Sequence, residues 1–115
     1  MAVALGAFGA HALKDSLSQQ YLEIYHTAVN YQFIHTLALF LVALAIMAAG
    51  SSAYLKVAGI CFAVGMLFFS GSLYVLVFTG KHWLGAITPI GGTLFLVGWA
   101  SLAIYALTLP KIISQ

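Results

Sequence analysis

The chain has 115 residues, 63% of them hydrophobic, with four basic and two acidic side chains and a net charge of +2. A soluble protein of this length needs several times that charge, so the composition excludes a soluble domain and makes lipid the solvent. So weak a positive balance gives no basis for a nucleic-acid partner, and the length suits one domain, residues 1–115.

The six charges, Lys14, Asp15, Glu23, Lys56, Lys81 and Lys111, fall at or outside the edges of long apolar runs. The first run, Met1 to Leu13, is shorter than the roughly 20 residues that cross a bilayer. No basic stretch precedes it, as a secretory signal would require. It is therefore expected to be a short or truncated first helix over 1–13. Next, Ser16-Leu-Ser-Gln19 has the spacing of a capping box. Leu17, Tyr21, Ile24, Ala28 and Tyr31 recur at helical spacing, and no Pro or Gly intervenes before Gly50. This predicts one helix over 18–49, about 48 Å long, longer than the hydrocarbon is thick.

Gly50-Ser51-Ser52 predicts a tight turn, followed by a third helix over 54–78. Thr79-Gly80-Lys81-His82 is the next turn, with Trp83 placed as an interface anchor. Leu84 to Ile87 reads as a short lead-in. Thr88 can cap a fourth helix over 89–109, with Pro89 at its first position and Pro110 as its stop. The predicted fold is all-α, a polytopic membrane four-helix bundle. Small residues four apart (Gly6/Ala10, Gly59/Ala63, Ala45/Ala49) favour close helix approach. Two lysines fall on each side, so charge sets no orientation. Cys61, the only cysteine, reads as a small packing residue.

Polar residues inside spans are costly and each asks for a reason. His35 has Gln32 three residues and Tyr31 four residues before it, so all three are expected on one flank. Ser70 and Tyr74 lie one turn apart on helix three, on a stripe with Gly59, Ala63 and Met66. An antiparallel bundle could gather His11, Gln32, His35, Ser70 and Tyr74 into one polar cluster. Two imidazoles suit proton transfer or the binding of metal or haem; the rival reading is a hydrogen-bond network that locks the bundle. Two histidines without a thiol or carboxylate make a poor closed zinc site. Glu23, His26 and Asn30 form a second, interfacial set on one helix face. Thr88, Pro89, Gly91 and Gly92 mark a helix N-terminus whose bare amides suit either an anion or close packing. Trp99, deep in helix four, needs a partner for its indole N–H if it faces protein. No nucleophile triad, phosphate loop or cysteine pair calls for an enzyme.

The run Gly6-Ala7-Phe8-Gly9-Ala10-His11-Ala12-Leu13 resembles the opening signature of the domain of unknown function 423 membrane family. Tyr31-Gln32 with His35-Thr36-Leu37-Ala38-Leu39, Phe69-Ser70-Gly71-Ser72-Leu73-Tyr74, and Thr88-Pro89-Ile90-Gly91-Gly92 with Gly98-Trp99 are similar to its later signatures. The eukaryotic transmembrane protein 256 proteins look like distant relatives. The resemblance implies a small four-helix protein of the bacterial inner membrane, with no assigned activity, and it covers His11, Gln32, His35, Ser70 and Tyr74. Members of the family carry a longer segment before the glycine signature.

The functional expectation is a non-enzymatic structural, accessory or small-ligand-binding subunit, an oligomer or part of a larger membrane complex. The alternatives are a proton-coupled transporter or channel using His35, Tyr74 and Glu23, and a haem, metal or quinone site on His11 and His35.

Overall fold

The structure, a computed structural model, describes residues 1–10 and 18–113, with side chains up to residue 108. Helix α1 covers Ala2–Phe8, α2 Gln19–Ala49, α3 Ala53–Thr79 and α4 Thr88–Ile113, with a 3-10 helix at His82–Ala86. Among the described residues three segments are long and apolar enough to cross a membrane: α2, α3 and His82–Thr108. At 1.5 Å per residue α3 is about 40 Å long, against about 30 Å of hydrocarbon.

The helix ends follow local chemistry. Ser18 starts α2 by accepting from the Tyr21 amide at 3.3 Å, and Ser52 starts α3 by accepting from Tyr54 at 3.2 Å. The expected capping box of Ser16 and Gln19 falls partly beyond what the structure describes. Ser16 lies outside the described residues, and the Gln19 side chain reaches forward to Glu23 at 3.4 Å. The chain leaves α2 at Gly50 (φ 85) and α3 at Gly80 (φ 70), backbone conformations that glycine adopts without a steric cost.

Helix α4 departs from the expected stop. It continues through Pro110 to Ile113. A proline in a helix removes one ladder hydrogen bond; here it is the bond to the carbonyl of Ala106, an exposed residue four positions back.

Helix α3 is the middle of the layer, flanked by α2 on one side and α4 on the other. The Cα envelope is correspondingly shallow, 57 × 27 × 15 Å. Helix α1 runs antiparallel to the first half of α2. A side chain on Gly6 would touch Val29 and Phe33, Gly9 lies against the Tyr25 ring, and the Tyr25 hydroxyl donates to the Leu5 carbonyl.

The α3/α4 seam is built on absent side chains. A Cβ on Gly91 would stand 2.5 Å from the Phe69 amide nitrogen and 2.7 Å from the Gly65 carbonyl. A Cβ on Gly98 would stand 2.7 Å from the Phe62 ring. In lipid no hydrophobic drive joins helices, so contact at this range is what holds them. Leu55, Ala58 and Phe62 of α3 pack with Ala38 and Val42 of α2 and Phe95 and Tyr105 of α4 to form the main core.

Candidate functional site

Gly65 also opens a passage. A Cβ there would lie 2.7 Å from the Phe95 ring. With none present, Phe95 of α4 crosses over α3 and stacks on His35 of α2, ring centres 3.5 Å apart and planes 11° from parallel. His35 is 2% exposed. Its Nδ1 lies 2.8 Å from the Tyr31 carbonyl, which can only accept, so Nδ1 carries the proton. Its Nε2 then accepts from the Trp99 indole N–H at 2.9 Å. Both ring nitrogens are thus engaged and the imidazole is neutral. Tyr31 stacks on the same ring at 5.9 Å, and Phe62 tilts against it at 5.5 Å. The Trp99 N–H has the partner its depth demands.

A second arrangement lies on the other flank of α3. Between α2 and α3, beside the start of α1, is a groove of about 330 Å³. One face of α3 forms its floor, from Ala63 through Leu67 and Gly71 to Tyr74. Its polar end is a pair: the Tyr74 hydroxyl donates to Gln32 Oε1 at 2.7 Å. Ser70 lines the groove but gives its proton to the Ala28 carbonyl at 2.8 Å, an interhelical tie. Thr36 reaches the Met66 sulfur at 3.6 Å. Among the described residues nothing accepts from the Gln32 Nε2 group, and that group is not buried. The groove therefore offers two N–H donors and the Tyr74 lone pair in apolar walls.

A sequence profile of the family described as Protein of unknown function (DUF423) matches residues 5–92. The chain belongs to this family. It is 48% identical over 107 residues to a UPF0382 membrane protein of Staphylococcus epidermidis, covering 93% of this chain and 86% of that one. Similar relatives are the UPF0382 membrane protein YwdK of Bacillus subtilis, 42% identical over 92% of this chain and 86% of its own, and a UPF0382 membrane protein of Haemophilus influenzae, 46% identical over 88% and 80%. No solved structure matches. With its three spanning segments, the chain is a multi-pass protein of the bacterial cell (inner) membrane.

In this DUF423 protein the polar set read from the sequence is divided. Gln32, Ser70 and Tyr74 meet at the groove, whereas His35 faces α4 on the opposite flank. The expected common flank for Tyr31, Gln32 and His35 does not form, because residues advance 100° each around a helix. Tyr31 and His35 pair on one side, while Gln32 and Thr36 turn to the groove. His11 lies outside the described residues. Glu23, His26 and Asn30 sit exposed on the outer face of α2. At the start of α4, Thr88 is already helical and its hydroxyl pairs with Ser72 at 2.7 Å, Pro89 is exposed, and Gly91 is pressed onto α3. Gly92 is looser, its nearest neighbour 4.0 Å from a built Cβ.

Sequence reasoning missed Phe95 and Phe62 as partners of His35, and Thr36, Leu67 and Gly71 as groove walls. Thr36 carried a usable signal, since it lies one turn from Gln32. The others look like ordinary lipid-facing residues until α3 is known to lie in the middle.

Proposed function

We propose that this protein is a non-enzymatic membrane subunit that holds a small lipid-soluble ligand in the α2/α3 groove, with Gln32 and Tyr74 as its polar end. The observation that carries the reading is the Gln32 N–H2 group, without an acceptor among the described residues, at the head of an apolar cavity. A donor in hydrocarbon without an acceptor is costly, and a ligand oxygen would satisfy it. The volume is about twice that of an apolar cavity that takes up benzene and lies at the lower end of ligand pockets. The His35 centre serves as the lock that fixes α2 to α4 and so keeps the groove wall in place. With both nitrogens bonded, His35 has no lone pair for a metal or haem iron and no vacancy for a travelling proton, so those readings gain no support from it.

The outer face of α2 supports assembly as an oligomer or as an accessory subunit. Glu23, His26 and Asn30 are exposed there, an interfacial polar face on which a partner subunit could dock.

A native mass spectrum of the protein released from mild detergent tests the ligand. The wild type is expected to retain a defined added mass, and Gln32→Leu to lower its occupancy about tenfold, the equivalent of ~1.4 kcal/mol. A wild type without added mass, or one whose added mass ignores Gln32→Leu, would overturn the proposal.

A further inference from the structure

The polar face of α2 begins at the interface and ends inside the hydrocarbon. Thr36 touches Met66, the middle residue of α3, so Thr36 marks the bilayer centre on α2. Asn30 is six residues before it, about 9 Å along the axis, and half the hydrocarbon thickness is about 15 Å. Around it, Thr27, Gln32, His35 and Thr36 each bond to a protein atom. The Asn30 side chain is exposed, and among the described residues its amide has no such partner. An amide at this depth costs free energy until its donors and acceptor are used.

Asn30 points away from the neighbouring helices. Around α2 it is turned about 100° from Val29 and about 140° from His35. Val29 packs against α1 and His35 faces α4. Helix α1 is already present at this depth, where a Cβ on Gly6 would touch Val29 and Phe33, so its path runs along a different flank. From Asn30 the outward stripe continues through Ile34, Leu37, Leu41, Leu44 and Ala48, all exposed. Its steps alternate between four and three residues, the spacing of a seam between two helices that wind around each other.

The amide selects what meets this seam. Asparagine carries both donor and acceptor, so it is its own complement, and a two-fold axis brings the same residue of two chains together. Resting on the reading of the outer face of α2 as an assembly surface, we infer that its partner is a second copy of this chain. The two α2 helices run parallel about a two-fold axis, and their Asn30 amides bond to each other. Depth requires the parallel arrangement, because an inverted copy would carry its Asn30 about 18 Å away, beyond the bilayer centre. The same axis sets the Glu23 carboxylate of each copy on the face that carries the other's His26 imidazole. A single polar residue in an apolar seam fixes register and partner number, and Asn30 has that role here.

The test is disulfide crosslinking of the full chain in the membranes of the bacterium that expresses it. Cys61 is replaced by alanine, and one cysteine is added on the seam (Leu44→Cys) or on α4 (Leu96→Cys, at a residue 73% exposed). Mild oxidation is expected to join Leu44→Cys into a covalent dimer and to leave Leu96→Cys monomeric. Leu44 lies about 12 Å past the bilayer centre, so an inverted pair would not join there. Adding Asn30→Leu should lower the dimer fraction about tenfold, the effect of a strong interhelical hydrogen bond in lipid. Asn30→Gln, which keeps a donor and an acceptor, should retain most of it. Tryptophan emission matching the wild type shows that the variants are folded. A dimer at Leu44→Cys no greater than at Leu96→Cys, or one unchanged in folded Asn30→Leu, overturns the inference. If the native mass spectrum of the wild type still shows a dimer in that case, the assembly reading stands on another face; if it shows a monomer, both fall.

Discussion

Helix α3 presents two flanks of similar composition that do opposite things. Toward α4, Gly65 and, across the seam, Gly91 and Gly98 face backbone and aromatic rings, and the buried His35 has both nitrogens bonded. Toward α2 and α1, no described residue lies within 4 Å of a Cβ built on Gly71, and among the described residues only the oxygen of the Gln32 amide has a partner. In lipid, burial brings no hydrophobic gain, so the two flanks differ in the completeness of packing and hydrogen bonding rather than in apolarity. A complete flank fixes structure, and an incomplete one is available to a ligand.

The sharpest way to break this contrast is Gly91→Leu. Overpacking ordinarily costs about 1–3 kcal/mol. Here the obstructing atoms are backbone at 2.5 and 2.7 Å, which cannot swing aside, so the loss should exceed ~3 kcal/mol and leave little folded protein in a detergent melting experiment. A wild-type melting curve would show that the seam is not close-packed. His35→Ala comes next. It removes a buried ring and orphans the Trp99 N–H, together about 2–4 kcal/mol. Both the unfolding midpoint and the Trp99 emission should move, and a shift in neither would remove His35 as the lock.

Tyr74→Phe should be mildest. It deletes one interhelical hydrogen bond, for which membrane measurements average about 0.6 kcal/mol with a maximum near 1.7. Its stability loss should be well below that of His35→Ala in the same unfolding assay. Equal losses would mean that the groove pair is as structural as the seam.

The spans, their order and their turns could be read from the sequence because charge and glycine punctuation are sparse and unambiguous in this chain. The polar residues worth attention could also be found, because any polar side chain in hydrocarbon is conspicuous. Their partners could not. Trp99 is 64 positions from His35, and Tyr74 is 42 from Gln32. Which of them meet depends on α3 lying between α2 and α4, and helical periodicity within one segment carries no record of that. The mixed character of the glycines was equally hidden. Gly65 and Gly71 are both interior glycines of one helix, and only the neighbouring helices tell a contact from a void.

The His35–Trp99 bond also sets an order on biogenesis. The two residues are separated by 64 positions, so at about 5–20 residues per second His35 emerges roughly 3–13 s before its partner exists. During that interval α2 and α3 can pair through their short turn, while the imidazole has only its own helix carbonyl. Docking of α4 supplies the indole donor and the Phe95 ring together. The protein thus carries a built-in marker of completed insertion, since a chain stopped before α4 exposes an unsatisfied histidine inside the membrane.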